Sequence, residues 1–353
     1  MDGLFKTETR PKRASQLRSA VRRILQIQQA DGAIAWFETG PWDPWNHVES
    51  AMALCAAGEV SAAAKAYDFL TATQRPDGAW FGEYGNALPI VDRLFISREP
   101  APAIVDSNFC AYPAVGILHY LEHTNDRERV WSWWPMVARA LDFVLTLQRP
   151  DGTICWSLEA SGTDEEDALL AGNASILKSL ECGIRLAMVF GQPDDRWRRA
   201  HTALRAALRT APHLFDRRGK GERFAMDWYY PVLSGALDQA TARARISARW
   251  DDFVPDGRGC LCVIDEPWVT AAETAELVLA LIAIDEPNRA EALFSGLLDI
   301  RDENGVFWMG WQRQEQIFWP QEQPSWTQAA IILAADALDN AGSASHVLTR
   351  SWI

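Results

Sequence analysis

Apolar positions recur along this chain every three to four residues, in twelve segments that alternate in character. One set, at about 14–30, 60–74, 129–148, 194–212, 239–252 and 287–301, carries Arg, Lys and Asp along one face, which predicts helices with one side in water. The other set, at about 45–57, 105–122, 168–190, 227–238, 268–284 and 324–340, is richer in Ala, Leu and small residues, with its polar groups near the start. That pattern predicts helices buried on most sides. Convincing strand alternation is missing, and Cys260-Leu261-Cys262-Val263-Ile264 is the one short candidate. Six outer-inner pairs predict an all-α fold, an (α/α)6 toroid, in a single domain over 1–353 with residues 1–13 as a flexible N-terminal tail. An open helical solenoid is the structural alternative, but six pairs without a capping repeat fit closure better.

The loops between these segments repeat one signal. Gln28-Gln29-Ala30-Asp31-Gly32-Ala33-Ile34-Ala35-Trp36, Gln74-Arg75-Pro76-Asp77-Gly78-Ala79-Trp80 and Gln148-Arg149-Pro150-Asp151-Gly152-Thr153-Ile154-Cys155-Trp156 are copies of a unit, with weaker echoes at Pro255-Asp256-Gly257 and Asn304-Gly305-Val306-Phe307-Trp308. Each copy reads as a helix stop. Pro cannot continue the helix, Asp-Gly supplies a turn whose Gly is free to take positive φ, and Trp folds back over the helix end.

Composition changes this picture in three ways. A chain with 48% hydrophobic and 23% charged residues, and no run near eighteen apolar residues, is expected to fold as a soluble protein. Its first residues lack the apolar segment of a secretory signal, so a cytoplasmic location is expected, with the six cysteines reduced. A net charge of -13 argues against nucleic acid as a partner. Seventeen Trp exceed what the repeats use, which points to an aromatic-lined cavity.

The repeats at 28–36, 74–80 and 148–156, with the toroidal pairing, resemble the prenyltransferase/squalene-oxidocyclase repeat superfamily, which includes squalene-hopene cyclases, class II terpene cyclases and protein prenyltransferase β subunits. The resemblance covers about 14–340 as architecture. It implies an isoprenoid-handling enzyme working on a prenyl diphosphate or a prenylated small molecule. The class II proton-donating motif, Asp-x-Asp-Asp, has its nearest match in Asp164-Glu165-Glu166-Asp167, which departs at the central acid. The zinc ligands of the prenyltransferases are not matched either: Asp256 stands at the wrong spacing from Cys260 and Cys262, and Trp326 stands where a His ligand is expected, so neither metal nor cofactor is expected.

In a toroid all inner helices start at one mouth, where their positive dipole ends converge. The first turns there bring His47, Glu49, Asp106, Asn108, Asn173, Asp227, Glu273, Thr327 and Gln328, with Trp45, Tyr112, Trp228, Tyr229, Tyr230, Trp268, Trp308, Trp311, Trp319 and Trp326 beside them. Short polar residues at helix starts are also ordinary N-caps. Glu49 and Glu273 lie inside apolar runs, where an ionised carboxylate is costly unless paired or used. Arg217, Arg218, Lys220 and Arg223 form a basic cluster suited to capturing a diphosphate, and 81–104 is long enough for a lid. Asp227, followed by three aromatics and four residues after Arg223, is the expected main proton donor or acceptor, with Glu273 in support and Asp106 as the alternative acid. Two further functions fit the same ring. Acids among Trp residues also suit a carbohydrate-active enzyme, a glycosidase or an epimerase, and a silent toroid would bind a lipid or a peptide.

Overall fold

The computed structural model of the chain describes residues 13–38, 40–84, 104–159, 167–217 and 223–353. Outer α1 (Arg18–Ile27) is followed by inner α2 (Pro44–Ala56), outer α3 (Val60–Thr73), inner α4 (Ser107–Ala111) and α5 (Pro113–Thr124), outer α6 (Arg127–Thr146), inner α7 (Leu170–Val189) and outer α8 (Asp195–Thr210). Inner α9 (Ala225–Leu233), outer α10 (Gln239–Ala248) with α11 (Trp250–Phe253), inner α12 (Ala271–Ala283), outer α13 (Pro287–Leu297) and inner α14 (Ser325–Asp339) complete the series.

Burial separates the two sets as the patterning requires. Outer α8 buries Trp197, Ala200, His201, Leu204, Ala207 and Leu208, one stripe at helical spacing, whereas α2 buries every residue from Val48 to Cys55. Neighbouring inner helices pack in the order α2, α5, α7, α9, α12 and α14, and α14 packs back on α2. The fold is therefore a closed all-α (α/α)6 toroid, and the solenoid alternative falls. Backbone and side chain of Ser325 seal the seam, with Oγ donating to Ala35 O at 2.7 Å and N to Trp36 O at 3.0 Å.

The repeat loops prove to be staples between consecutive outer helices. Gln28 Nε2 donates to Gly32 O at 3.3 Å within its own loop and to Ala62 O of α3 at 2.9 Å. Gln74 repeats this with Gly78 O and Met136 O of α6, and Gln148 with Gly152 O and Ala200 O of α8. The repeat Asp accepts from the residue after the Gly in all three, Ala33, Ala79 and Thr153. Gln148→Ala is expected to cost about 1–3 kcal/mol, because two carbonyls lose a half-buried donor, and a urea titration that shows no loss of stability would overturn the staple.

Two departures from the sequence reading have local causes. The inner segment over 105–122 breaks at Tyr112, because Pro113 has no N–H and starts a new helix. Among the described residues six short strands appear where one was expected: β1 (Ile104–Asp106) pairs with β2 (Ser157–Glu159), and β3 (Cys260–Leu261), β4 (Trp268–Thr270), β5 (Gly310–Gln312) and β6 (Ile317–Phe318) form one antiparallel sheet in that order. Two or three residues are too few to show an alternating pattern. Residues 1–12 of the expected N-terminal tail and most of the lid segment, residues 85–103, lie outside the described residues, while Arg13, the last residue of that tail, is held by Glu291 and Asp339. Among the described residues no helix is long and apolar enough to cross a membrane.

Candidate active site

Counting from the first residue of each inner helix sorts its side chains by direction. The fourth residue turns outward and holds a loop: His47 Nδ1 accepts from Ile34 N, Cys110 Sγ from Trp80 N, Asn173 Oδ1 from Ile154 N, Thr274 Oγ1 from Cys260 N and Gln328 Oε1 from Phe307 N. In α9 the fourth residue, Trp228, donates its indole N–H to Arg245 O at 2.9 Å. The sixth residues, Glu49, Tyr112, Ser175, Tyr230, Glu276 and Ala330, all line a cavity of about 20 Å³ on the axis. Ninth residues Lys178, Leu233, Leu279 and Leu333 form its next layer. Third residues lie one turn above the sixth on the same face, and on the neighbouring helices α9 and α12 these are Asp227 and Glu273.

Below the cavity the C-terminal tail closes the toroid. Lys178 Nζ donates to Glu181 Oε2 at 2.7 Å and to Arg350 O at 2.6 Å, Trp352 N donates to Glu181, and Leu348 reaches the cavity wall. The starts of the inner helices lie at the opposite end from this tail.

Asp43, Asp106 and Asp227 at the inner-helix starts, and Glu49 in the cavity layer below, are buried carboxylates held above their ordinary range. Asp43 caps α2, accepts from Trp36 Nε1 at 2.6 Å and from Asn46 N at 2.9 Å, and is pushed up to about 6 by burial. Asp106 caps α4 through Asn108 N and Phe109 N, accepts from Trp156 Nε1 at 2.8 Å, and is likewise pushed up to about 6 by burial. Burial, then the Asp216 charge beside it, push Asp227 up to about 7. Glu49 rises to about 7, chiefly by burial. Asp43 and Asp106 each use both carboxylate oxygens on backbone and indole donors. Among the described residues Asp227 accepts one long bond, 3.4 Å from Ala171 N at the start of α7, so its carboxyl retains capacity for a ligand.

The other expected site residues divide between axis and scaffold. Glu49 and Tyr112 face each other, with Tyr112 OH donating to Glu49 Oε1 at 3.1 Å, and Tyr229 and Tyr230 both donate to Glu276. His47 and Asn173 are tied to backbone at both ends of their side chains, His47 Nε2 lying 2.9 Å from Ala66 O and Asn173 Nδ2 donating to Ile154 O and Leu169 O. Burial holds His47 down at about 4, which keeps the ring neutral. Asn108 is buried, and its Oδ1 has no hydrogen-bond partner among the described residues. Trp326 packs edge-on against Trp36 and Phe37, while Trp268 and Trp311 stand on β4 and β5, Trp268 edge-on to Trp319. Arg223 pairs with Asp265 at 2.8 Å near the surface, and Arg218 and Lys220 lie outside the described residues, as do Asp164, Glu165 and Glu166. Among the described residues no three His, Cys, Asp or Glu side chains cluster as a metal ion requires.

Three residues of this region were missed from the sequence. Asp43 stands before Pro44 as a cap followed by Pro, a signal that was legible. Glu276 sits three residues after Glu273 in an apolar run, hence on the same helix face. Lys178 gave no signal beyond being a charge in a buried helix.

No family model matches the chain. Over 323 residues, 92% of this chain and 86% of the other, it is 46% identical to the MMP endo-(1,4)-3-O-methyl-alpha-D-mannosidase of Mycolicibacterium hassiacum. Among solved structures it is similar to a GH63 mannosylglycerate hydrolase from Thermus thermophilus in complex with glucose, at 12% identity and a TM-score of 0.66 over 90% of this chain and 99% of that one. A glycosidase in complex with glucose is similar at 16% identity, with a TM-score of 0.68 over 95% of this chain and 99% of that one. These findings correct the isoprenoid expectation: the superfamily resemblance, the prenyl substrate and the prenyltransferase or terpene-cyclase activity all fall to a sugar-hydrolysing relative. The physical reason is that the Gln, Asp and Gly of the repeats are staples between outer helices, so they report the toroid and carry no chemistry of their own.

Proposed function

We propose that this chain, which belongs to the family of the MMP endo-(1,4)-3-O-methyl-alpha-D-mannosidase of Mycolicibacterium hassiacum, is a glycoside hydrolase that cleaves internal 1,4 bonds in chains of 3-O-methylated α-mannose. The carbohydrate-active alternative of the sequence reading thus replaces the isoprenoid one. The observation that carries it is the pairing of that similarity with a mouth where Asp227 and Glu273 stand at the same level of adjacent inner helices.

Glycoside hydrolysis needs one carboxyl group to protonate the leaving oxygen and a second carboxylate to act at the anomeric carbon. Asp227, held up to about 7, keeps its proton into the neutral range and supplies it to the glycosidic oxygen as the bond to C1 breaks. Glu273, partly exposed on α12, takes the proton of the water whose oxygen adds to C1. One proton of the water stays on the new C1 hydroxyl and the other passes to Glu273, the departing chain carries the proton from Asp227, and release of a proton by Glu273 and uptake of one by Asp227 restore both groups. Trp45 and Trp326, second residues of α2 and α14, offer apolar ring faces on which O-methyl groups pack without losing hydrogen bonds.

Incubation with a 1,4-linked 3-O-methyl-α-mannose oligosaccharide, followed by mass spectrometry of the products, tests the proposal. Internal fragments of several lengths are expected, and release of single terminal residues, or no cleavage, would overturn it.

A further inference from the structure

Beneath the reacting layer lies a second pair of acids that the hydrolysis does not use. Glu49 of α2 and Glu276 of α12 line the same cavity of about 20 Å³, which has room for about one water molecule. Each is gripped by phenols: Tyr112 OH donates to Glu49 Oε1 at 3.1 Å, and Tyr230 OH to Glu276 Oε1 at 2.6 Å, with Tyr229 OH on the other oxygen. Ser175, 2% exposed and also lining the cavity, has an Oγ without a hydrogen-bond partner among the described residues. Above them Trp45 stacks on Tyr112 with ring centres 5.0 Å apart and meets the edge of Tyr230 at 5.7 Å, four residues before Glu49 on the same helix. The contacts run Glu49, Tyr112, Trp45, Tyr230, Glu276, and the loop lacks a link only between the two carboxyl groups.

We propose that Glu49 and Glu276 share one proton across the axis through a water completed by Ser175 Oγ, and that this pair is a positioning device for Trp45 at the floor of the sugar site. Two carboxylates in one low-dielectric space cannot both ionise cheaply, so one proton stays and the pair titrates as a unit. Burial and like charge both act in that direction: burial, with the Asp43 and Glu273 charges adding to it, pushes Glu49 up to about 7, and burial followed by the Glu49 charge raises Glu276 well above its ordinary value. The other ionisable groups around the pair are Asp43 at the cap of α2, Lys178 of α7, Tyr112 of α4, Tyr229 and Tyr230 of α9, Glu273 of α12, and Cys260 and Cys262 beside β3. Lys178 is already neutralised by Glu181 at 2.7 Å, and α14 contributes only Ala330 and Leu333 to the wall. The cation nearest the cavity therefore does not replace the proton.

The sign for stability follows from the raised native values. In the unfolded chain a Glu loses its proton near 4.5, whereas Glu49 holds it to about 7, so the pair's contribution is complete below about 4.5 and is lost as pH rises through about 7. Urea unfolding at a series of pH values should show this fall in the unaltered protein. Glu49→Gln alone and Glu276→Gln alone should each remove more than half of the fall, because each takes away the coupling together with one acid, and the double variant should remove the rest, which burial alone sustains in the single variants. A fall removed in two additive halves, or one that survives both changes, would overturn the shared proton. Should a Gln variant not fold, Tyr230→Phe serves, because loss of a phenol that favours the ionised form must move the fall to higher pH, and no movement would overturn the proposal.

The role at Trp45 rests on the proposed sugar substrate. With a 3-O-methyl-α-mannose oligosaccharide, KM of the unaltered protein should rise about tenfold per pH unit once the last proton leaves, the slope of a single proton, and should stay flat in Glu49→Gln. A KM that rises equally in both would sink the positioning role. An absence of cleavage would sink the substrate alone and leave the unfolding result to stand.

Discussion

Asp227→Asn is expected to lower kcat on a 3-O-methyl-α-mannose oligosaccharide by about 10²- to 10⁴-fold, with helical content and unfolding midpoint nearly unchanged. The substitution keeps the volume and an oxygen that can accept from Ala171 N, so the start of α7 stays capped while the transferable proton is lost. Asp106→Asn is the informative companion. Asn also caps a helix, so the bonds from Asn108 N and Phe109 N persist and turnover should survive. If Asp106→Asn abolishes turnover and Asp227→Asn does not, the donor is Asp106. The pH profile gives a second reading of the same group. A donor must hold its proton, so with Asp227 at about 7 the rate should fall as pH rises above neutrality, and a rate that keeps climbing to about pH 9 would exclude it.

Gly32→Ala should destabilise the protein by about 3–5 kcal/mol, one of the largest single-site losses available to it. Gly32 has a φ of +100, which L side chains rarely adopt, and an added Cβ would stand 2.3 Å from Lys65 O of α3. That atom is backbone inside a helix and cannot step aside without breaking the staple from Gln28 to Ala62 O. Gly58 supplies the control. Its φ is +88, but nothing lies within 4 Å of the added Cβ, so Gly58→Ala should cost only the conformational strain, about 1–2 kcal/mol. Urea midpoints that fall equally for the two variants would show that the close approach to α3 contributes nothing.

The toroid was legible because its signals are local. A helix stop can be read from Gln-x-x-Asp-Gly, and an inner helix from an apolar surface that continues all round it. The work of the staple was not legible, since Gln28 acts on a carbonyl at residue 62 and Gln148 on one at residue 200. Without those partners, the repeat invited the wrong family. Site residues were confounded by helix geometry: one step along a helix turns the side chain by about 100°. Asp227 and Glu273 at third positions lie above the axis, while His47 and Asn173, one position further along, turn out to the loops. Helix starts read from sequence are uncertain by more than one residue, so the mouth was recognisable and its individual members were not. Glu276 was hidden by the same uncertainty, although its phenolic partners Tyr229 and Tyr230 were conspicuous.

The seam at Ser325 has a consequence for how such a ring is made. Staples join outer helices whose bonded residues are 34, 62 and 52 positions apart, distances a growing chain covers early. The bond from Ser325 to Ala35 spans 290 positions and cannot form until α14 exists. Assembly by successive outer-inner pairs would therefore leave a crescent with two bare flanks, one on α2 and one on the newest inner helix, through most of synthesis. Bringing distant ends together costs entropy that grows only slowly with length, so the closing step is feasible once the rest is ordered. Until then the apolar flank of α2, from Val48 to Cys55, is the surface most exposed to wrong partners, and chaperone dependence should be greatest while the last pair is still on the ribosome.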